Sequence, residues 1–363
     1  MISYTESRSV RFGDRIVGDG QPCFVTYEAG PTHDSLESAK ALVSLACSSG
    51  ADAVKFQIFD ADKLVADRNQ TFSYDILLDK GTGETETVEE PLYDILCRRC
   101  LGEDEWIELK AHSDSLGLAF FATIGFEEDL ELLSRMNCDS VKIASADVNH
   151  LPLIRKAAAT GMCIQLDTGN ATLGEVEKAV DICCAEGNDR IIIHQCPSGY
   201  PARLPSINLK IIETLRQMFP FPVAYSDHTP GADMDIAAMV LGANLVEKTI
   251  TFDRCTRSVE HIFSLEPDDA TRFIQRLRDV EVAMGGARRI LHEAEKSKRD
   301  MIRRSAFLTC DAPRGTPASD LKLEFRRPGT GLAPDVIDLF ADAVLNRDMV
   351  AGEMLTKDAF INA

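Results

Sequence analysis

The chain has 363 residues and a formal net charge of −19, with a mass of 39.9 kDa and a pI near 4.8. This acidity excludes non-specific binding to nucleic acid and to anionic membrane surfaces. The polar first residues, and the lack of an apolar run long enough to span a membrane, predict a cytoplasmic protein without a membrane partner. A chain of this length accommodates one large domain and a small one.

From residue 23 onwards, segments typical of strands and helices alternate. The sequence predicts eight strands, at 24–30, 53–59, 118–125, 140–146, 163–168, 190–196, 222–229 and 244–251. It predicts helices at 35–50, 104–117, 127–136, 151–161, 173–187, 207–219, 232–242 and 268–285. Residues 60–102 interrupt the alternation and are predicted to be a long loop with one short helix near 91–100.

Apolar strands that alternate with amphipathic helices are typical of parallel β/α packing. Eight such units match an α/β protein with a (β/α)₈ TIM barrel. The alternative, an open doubly wound sheet, is less favoured because no strand is followed by G-x-G-x-x-G or a Walker loop. The predicted domains are an N-terminal arm or β-ribbon at 1–22, a catalytic barrel at 23–290, a linker at 291–303 and a small β-rich domain at 304–363.

Two lysines stand within apolar strands. Lys55 lies in A-V-K-F-Q-I-F, with Gln57 on the same face, and Lys142 lies in S-V-K-I-A-S. Residues two apart in a strand point to the same side. An unpaired ammonium in an apolar wall costs on the order of several kcal/mol. The two lysines therefore indicate a local anion site in an otherwise acidic protein.

In a barrel, the chemistry lies at the C-terminal ends of the strands. The polar residues of this sequence follow that rule, since they fall at or near the ends of the predicted strands: Glu28, Lys55, Gln57, Thr123, Lys142, Ser145, Asp147, Asp167, Thr168, Ser198, Tyr200, Ser226, Asp227, His228, Glu247, Lys248 and Thr249. This convergence at one rim is more specific than any single motif in the chain.

Together with the hydroxyls of Thr123 and Ser145, the two lysines suit a ligand that carries a phosphate and a carboxylate. The alternative is a pair of structural lysines bonded to carboxylates inside the barrel, with Glu28, Asp147 or Asp167 as partners. In a rival chemistry, one of the lysines is a Schiff-base nucleophile, as in many barrel aldolases.

His228, in S-D-H-T at a strand end, suits a divalent metal such as Mn²⁺, with carboxylates and water completing the coordination. The competing interpretation is a hydrogen-bonded core histidine. His194, in the middle of a strand, is predicted to be structural. Glu28 is acidic within an apolar strand, which makes it a candidate general base or metal-site carboxylate.

The sequence resembles the N-acetylneuraminate (sialic acid) synthase family over nearly its whole length. E-A-G-P-T-H at 28–33 is similar to the family's E-I-G-x-N-H, and G-A-D-A-V-K-F-Q at 50–57 is a close match. The remaining matches are K-I-A-S at 142–145, C-P-S-G-Y-P at 196–201 and S-D-H-T at 226–229. R-R-S at 303–305 followed by R-P-G-T-G at 327–331 resembles the family's C-terminal antifreeze-like (SAF) domain.

The resemblance implies a TIM barrel followed by a SAF domain, in a domain-swapped homodimer where each small domain caps the partner's barrel. It also implies a transferase that condenses phosphoenolpyruvate with an open-chain N-acylated hexosamine aldehyde. Carbon 3 of phosphoenolpyruvate would attack the aldehyde, water would add at carbon 2, and phosphate would leave. A divalent metal, Mn²⁺ or Mg²⁺, would polarise the aldehyde.

The resemblance also assigns roles by position. Phosphoenolpyruvate would be held by Lys55, Thr123, Lys142, Ser145, Ser198 and Ser226. The sugar would be held by Gln57, Tyr200 and Arg327, with Arg327 arriving from the partner chain, and Glu28 would handle protons. The remaining candidate substrate-binding residues are Asp147, Asp167, Asp227 and Glu260. His228 is the candidate metal ligand.

Four positions depart from the family pattern at the site. Thr249 replaces the second metal histidine of K-H-F-T and is a poor ligand. Asp167 replaces the first residue of S-T-G-M and puts a negative charge where phosphoenolpyruvate would lie. Glu260 replaces the sugar-binding Asp of G-P-D-H, and Thr32 replaces the Asn of E-I-G-x-N-H.

These departures leave three functions open. The first is a synthase with an altered acceptor and an altered metal site. The second is a metal-independent or Schiff-base aldolase, and the third is a non-catalytic relative that binds a sugar or phosphate. The first is preferred because the departures cluster at the site and spare the fold.

Overall fold

The computed structural model describes residues 8–361, and the chain divides into two compact units between Met284 and Gly285. The strands of the first unit are β1 (Ser9–Phe12), β2 (Arg15–Gly18), β3 (Phe24–Glu28), β4 (Ala53–Ile58), β5 (Thr71–Asp79), β6 (Glu84–Pro91), β7 (Ala119–Ile124), β8 (Ser140–Ile143), β9 (Cys163–Asp167), β10 (Ile191–Gln195), β11 (Val223–Asp227) and β12 (Leu245–Thr249). Its α-helices are α1 (Leu36–Ser49), α2 (Ala61–Leu64), α3 (Leu92–Cys97), α4 (Glu103–Ser115), α5 (Glu127–Arg135), α6 (Leu151–Ala159), α7 (Leu173–Ala185), α8 (Leu204–Ile207), α9 (Ile211–Met218), α10 (Asp233–Val240) and α11 (Pro267–Met284).

Eight parallel strands close into a barrel, in the order β3, β4, β7, β8, β9, β10, β11 and β12. The ring is completed where β12 pairs with β3, with Thr249 opposite Glu28. This closure confirms the predicted TIM barrel and rules out the open doubly wound sheet. Because all eight strands run in one direction, their C-terminal ends meet at a single mouth.

Helix α1 shows how the sequence sets the boundaries of these elements. The side chain of Ser35 accepts a hydrogen bond from the backbone N–H of Ser38, which caps the start of the helix. Gly50 ends it in the left-handed region at φ 89°, a conformation that costs other residues free energy.

The N-terminal end of the barrel is filled by apolar side chains and closed by the β1–β2 hairpin. The ring of Phe12 lies 5.1 Å from that of Phe24 and 5.2 Å from that of Phe121. Val10 and Val17 join the same buried cluster. A β-ribbon expected within 1–22 is therefore observed at residues 9–18, while residues 1–7 lie outside the described part of the chain.

The prediction for residues 60–102 was wrong in one respect. Instead of a long loop, β5 and β6 form an antiparallel hairpin, preceded by the short helix α2, which was not predicted. The short helix expected near 91–100 is present as α3. The hairpin has its own small core, formed by Tyr74, Ile76, Val88, Ile95 and Val259. Strand β6 reads E-T-E-T-V-E-E-P and is mostly exposed, so it lacks the apolar face by which a strand is recognised in a sequence.

The second unit contains α12 (Glu293–Ile302) and the short strands β13 (Ser305–Leu308), β14 (Leu323–Arg326), β15 (Val344–Leu345) and β16 (Phe360–Ile361). The strands pair as two antiparallel ribbons around a separate core that includes Leu308, Leu345 and Leu355. Helix α12 occupies most of the segment that was expected to be a linker. Within residues 8–361, no helix combines the length and apolarity needed to cross a membrane.

Replacing Phe12 with Ala is expected to destabilise the barrel by about 3 kcal/mol, because the buried ring loses its contacts with two other rings. Urea unfolding followed by the fluorescence of Trp106, the single tryptophan of the chain, measures this loss. The control is Ile16→Ala in the same hairpin, where the side chain is 53% exposed. Equal midpoints for the two variants would contradict the closing role of the hairpin.

Candidate active site

Two lysine ammonium groups are held together in the barrel by a single carboxylate. Glu247, on β12, lies with Oε1 3.0 Å from Lys55 Nζ and with Oε2 2.7 Å from Lys142 Nζ. The side chain of Lys142 is only 1% exposed, and that of Glu247 is 5% exposed. The two lysines that the sequence singled out therefore lie side by side inside the mouth.

Each lysine has a second carboxylate partner. Lys55 forms a salt bridge with Glu28, and Lys142 Nζ lies 3.0 Å from Asp167 Oδ2. Two of the three carboxylates proposed as structural partners are thus confirmed as neighbours of the ammonium groups. Asp167, which the sequence suggested would repel an anion, is paired with one of the cations that would attract it.

The electrostatics of this cluster follow from burial and charge pairing. Burial alone would raise the pKa of Glu247, yet the ammonium groups of Lys142 and Lys55 hold the pKa of that carboxyl well below its usual range. Burial also opposes the charge of Lys55, but Glu247 and Glu28 raise the pKa of its ammonium well above the ordinary value. Burial dominates at Glu28 and raises the pKa of its carboxyl.

The hydroxyl of Ser226 joins the cluster to a polar layer beneath it. Lys142 Nζ donates to Ser226 Oγ at 3.0 Å, and Ser226 Oγ donates to Asp167 Oδ1 at 3.0 Å. His194 Nδ1 lies 3.0 Å from the same hydroxyl, and its Nε2 lies 2.9 Å from Gln165 Oε1. Burial lowers the pKa of His194 to about 3, so the imidazole is neutral and positions Ser226 rather than binding an anion.

Neutral donors surround the ammonium groups towards the rim. Lys55 Nζ lies 3.4 Å from Thr123 Oγ1, which places this hydroxyl beside the first lysine. Ser145 follows β8 and Ser198 follows β10, on the two sides of β9, and each lies within hydrogen-bond distance of the side chain of Asn170. The predicted hydroxyl residues therefore lie around the same opening.

The turn after β3 requires a glycine. Gly30 N–H donates to Glu28 Oε1 at 2.6 Å. A Cβ at this position would lie 2.6 Å from Glu28 Oε1 and 2.8 Å from the backbone nitrogen of Gln57. This close approach fixes the carboxylate of Glu28 against β4 and places Gln57, half-buried, next to it.

Asp227 does not lie where the sequence placed it. Its side chain forms a salt bridge with Lys248 and accepts a hydrogen bond from Tyr225 at 2.9 Å, on the outer face of the barrel wall towards α10. Alternation explains the error, because residues 226 and 228 point inward and residue 227 therefore points outward. Asp227 supports the wall instead of contacting a ligand in the mouth.

His228 packs at the rim against two aromatic rings. Its ring centroid lies 4.5 Å from that of Tyr200 and 5.9 Å from that of Phe263. Its Nδ1 lies 3.2 Å from the carbonyl oxygen of Pro197. The side chain is therefore placed at the mouth, as expected.

The residues around His228 do not fit a metal centre. On the neighbouring strand, Thr249 Oγ1 donates to Glu260 Oε2 at 3.2 Å, and a threonine hydroxyl is a weak ligand for a transition metal. Among residues 8–361, no three His, Cys, Asp or Glu side chains are grouped so as to hold a metal ion. Glu260 is buried, and burial together with the charge of Glu28 raises the pKa of its carboxyl to about 7.

Two further predicted residues lie outside this cluster. Asp147 follows β8 in a short 3₁₀ turn and is half-buried, and burial raises the pKa of its carboxyl. Arg327 follows β14 in the second unit and is exposed. Its assignment to the sugar stays a prediction.

Comparison with known proteins identifies the family. Residues 42–289 match the family model described as the NeuB family. This chain belongs to the NeuB family. It is 33% identical to the N,N'-diacetyllegionaminic acid synthase of Legionella pneumophila over 93% of this chain and 94% of that protein. It is 28% identical to the pseudaminic acid synthase of Campylobacter jejuni over 93% of this chain and 96% of that protein.

Solved structures agree with the fold of this NeuB family member. The structure of the N-acetylneuraminic acid (sialic acid) synthetase of Leptospira borgpetersenii in complex with citrate is similar with a TM-score of 0.69 and 26% identity, covering 80% of this chain and 95% of that one. The spore coat polysaccharide biosynthesis protein of Bacillus subtilis is similar with a TM-score of 0.64 and 26% identity, covering 98% of this chain and 99% of that one.

Sequence reasoning missed the central residue of the site. Glu247 was noted as polar but was not assigned a role, although it shares a face with Thr249 and therefore points into the barrel. His194 was taken as structural, and its contact with Ser226 shows that it orients a residue of the mouth. The signal in the sequence was the position of Glu247, an acidic residue in an apolar strand and two residues before Thr249. This spacing places its side chain on the inward face.

Substituting Glu247 with Gln is expected to lower the free energy of unfolding by about 3 kcal/mol, because two buried ammonium groups lose their common counter-charge. Urea titration of the folded barrel measures the loss. The matched control is Glu128→Gln, which removes the exposed pair with Lys63 and should leave the urea midpoint nearly unchanged. A stability equal to that of the control would show that Glu247 does not hold the lysines together.

Proposed function

We propose that this protein is a transferase that condenses phosphoenolpyruvate with an N-acylated hexosamine, or a related sugar aldehyde. The products are a nonulosonic-type 2-keto-3-deoxy acid and phosphate. The observation that carries the proposal is the pair of buried ammonium groups joined by Glu247 at the mouth of the barrel, in a member of the NeuB family. The names of the relatives, which are synthases of legionaminic, pseudaminic and sialic acids, agree with this reaction class.

Phosphoenolpyruvate carries a phosphate and a carboxylate, and the mouth offers two kinds of donor for them. Lys55 and Lys142 supply charge, while Thr123 and Ser226 contribute hydroxyls directly beside these ammonium groups. Ser145 and Ser198 complete the donors at the rim. The substrate binds by taking over ammonium contacts that carboxylates make in the structure, as Asp167 does with Lys142.

The reaction forms one carbon–carbon bond and breaks one carbon–oxygen bond. Carbon 3 of phosphoenolpyruvate attacks the aldehyde carbon, and the aldehyde oxygen takes up a proton to become a hydroxyl. Water then adds at carbon 2 and gives one proton to a base, which leaves a hydroxyl and the phosphate on that carbon. The bond between carbon 2 and the phosphate oxygen then breaks, the hydroxyl becomes the keto group, and its proton goes to the departing phosphate. Glu28 is the proton acceptor in this proposal, because it is buried beside Lys55 and close to Gln57.

The proton for the aldehyde oxygen has a candidate source in Glu260. Its carboxyl lines the same pocket as Tyr200, and its pKa of about 7 leaves a large fraction protonated at neutral pH. No step is assigned to a metal ion, because the donor set around His228 does not fit one. Because the resemblance implies Mn²⁺ or Mg²⁺, the assay is run both with and without the metal ion.

A Schiff-base aldolase is less favoured by the structure. A lysine nucleophile must lose its proton, and the carboxylates of Glu247 and Glu28 raise the pKa of Lys55 well above its ordinary value. Lys142 donates to Glu247 and to Ser226, and lies 3.0 Å from Asp167, so its ammonium is fully engaged. A non-catalytic relative that only binds a sugar or phosphate is the third possibility.

The second unit also has a place in the proposal. By the resemblance it is an antifreeze-like domain that caps the barrel of a partner subunit in a cytoplasmic homodimer, and Arg327 contacts the sugar bound there. Its separate core and its R-P-G-T-G segment support this assignment.

The experiment that tests the proposed function is phosphate release from phosphoenolpyruvate mixed with acyl-hexosamines, with and without Mn²⁺. Release that depends on both substrates and is lost in Lys142→Met supports the synthase. A lysine adduct trapped by borohydride would support the Schiff-base aldolase instead. Sugar binding without release or adduct would support the non-catalytic relative.

Substituting Glu260 with Gln is expected to change the pH profile of phosphate release. The acid form of Glu260 is present below about pH 7 and is lost above it, so the wild-type rate should fall as the pH rises through that value. The neutral amide of the variant does not titrate, so this alkaline limb should disappear. An alkaline limb that persists unchanged in Glu260→Gln would contradict the role of this carboxyl.

Introducing a histidine at Thr249 is expected to supply a metal ligand that the wild-type residues around His228 lack. Asp227 pairs with Lys248 in the β11–β12 register, so residues 228 and 249 are the next neighbours across the strands. Thr249→His should bind Mn²⁺ at least about tenfold more tightly than the wild type, since imidazole is a stronger ligand than a hydroxyl. Electron paramagnetic resonance of free Mn²⁺ measures the difference, and equal affinities would show that the wild-type site is already complete.

A further inference from the structure

A pocket of about 580 Å³ adjoins the mouth of the barrel. It shares Tyr200 and Glu260 with the candidate site, and Ala146, the residue after Ser145, forms another part of its lining. Apart from Val259, which follows β12, the rest of the lining comes from residues 64–99, within the segment that interrupts the regular alternation of the barrel. This inserted segment therefore extends the mouth of the barrel by a side pocket.

The walls of the pocket are mostly apolar. They include Leu64, Phe72, Leu92, Leu96 and Val259. Val259 and Ile95 also belong to the small core of the hairpin, so this side of the pocket is held in place by its own packing. Such walls favour an uncharged, apolar group over a hydrated one.

One cation lines this apolar pocket. Arg99 is 6% exposed, and its Nη2 donates to Ser258 Oγ at 2.9 Å. In the part of the chain that the structure describes, Ser258 is the one hydrogen-bond partner of its guanidinium, which forms no salt bridge. Burial lowers the pKa of Arg99. A guanidinium has five N–H donors, and a neutral hydroxyl engages only one of its nitrogen atoms here.

The backbone of Arg99 is fixed by the motif that follows β3. His33 Nε2 lies 3.0 Å from the carbonyl oxygen of Arg99, and His33 Nδ1 lies 3.2 Å from that of Ala29. The imidazole packs edge-on against Phe56 and Trp106. His33 therefore ties the position of Arg99 to the rim of the barrel.

We infer that this pocket receives the N-acyl substituent of the acceptor sugar, with Arg99 donating to the acyl oxygen and the apolar walls holding the acyl chain. The inference rests on the proposed function, because it specifies the acceptor for that reaction. A neutral acyl oxygen fits better than a phosphate, since Glu260 lines the same pocket and three carboxylates already stand in the mouth. The volume exceeds what a single acetyl group fills, so longer acyl chains also fit.

The test compares N-acetyl-, N-propanoyl- and N-butanoyl-mannosamine, and N-acetylmannosamine 6-phosphate, as acceptors. The Michaelis constant of the acceptor should fall by roughly tenfold from acetyl to butanoyl, because two more methylene groups are buried. Arg99→Met should raise this constant at least about tenfold for every acyl acceptor and leave that of phosphoenolpyruvate within twofold. Leu64→Trp, at a side chain that is 48% exposed, should cancel the preference for butanoyl.

The matched control is Arg98→Met, which removes the exposed neighbouring guanidinium that pairs with Glu90 and should leave all constants unchanged. A preference for the 6-phosphate that is lost in Arg99→Met would overturn the inference in favour of an anion site. A shift of the pH profile in Arg99→Met with unchanged acceptor constants would also overturn it, because Arg99 would then act only as a counter-charge to Glu260.

Saturation-transfer NMR of the acyl protons separates this inference from the proposed function. Saturation transfer to the acyl protons in the wild type, and its loss in Arg99→Met, would support the acyl pocket. If this is observed but no phosphate is released, the proposed synthase is refuted and the acyl pocket is not. Phosphate release without saturation of the acyl protons would overturn the acyl pocket and leave the synthase in place.

Discussion

The two carboxylate oxygens of Glu247 each accept from a different buried ammonium, and the arrangement of the mouth depends on this bridge. Without this bridge, the two ammonium groups would lie close together inside the barrel, and each would be paired with a single carboxylate. With Glu28 and Asp167 included, three carboxylates face two ammonium groups, so the cluster carries a formal charge of 2 − 3 = −1 when all are ionised. An acidic substrate adds further negative charge, so its binding is expected to be accompanied by the uptake of a proton by one of these carboxylates.

Much of this architecture was predictable, because a closed barrel repeats one unit whose apolar strands and amphipathic helices are legible in a single sequence. The lysines at 55 and 142 were also predictable, since charge within an apolar strand needs a partner. The roles of Glu247 and Asp227 were missed, although the alternation of side chains along a strand was a usable signal: Glu247 shares the inward face with Thr249, and Asp227 lies between the inward-pointing Ser226 and His228. The β5–β6 hairpin was not predicted because strand β6 is mostly exposed and rich in glutamate. It therefore lacks the alternation of apolar and polar residues by which a strand is recognised.

The departures from the family pattern form a connected group in the structure. Thr249 stands where a second metal histidine was expected, and its hydroxyl bonds to Glu260, whose carboxyl is buried and has a raised pKa. A proton donor therefore lies next to the position where a metal ligand was expected. Asp167 is compensated in a similar way, since Lys142 and Ser226 both contact it. These substitutions change the chemistry offered to an acceptor and leave the barrel intact.

The most direct test of this account is the number of protons exchanged when phosphoenolpyruvate binds. Isothermal titration at pH 8 in buffers of different ionisation enthalpy measures that number, and at this pH the phosphate of the ligand is already fully ionised. The account predicts that the cluster of Glu28, Asp167 and Glu247 takes up about one proton per ligand, because it already has a surplus of negative charge beside the two ammonium groups. Binding without proton uptake in the wild type would contradict it.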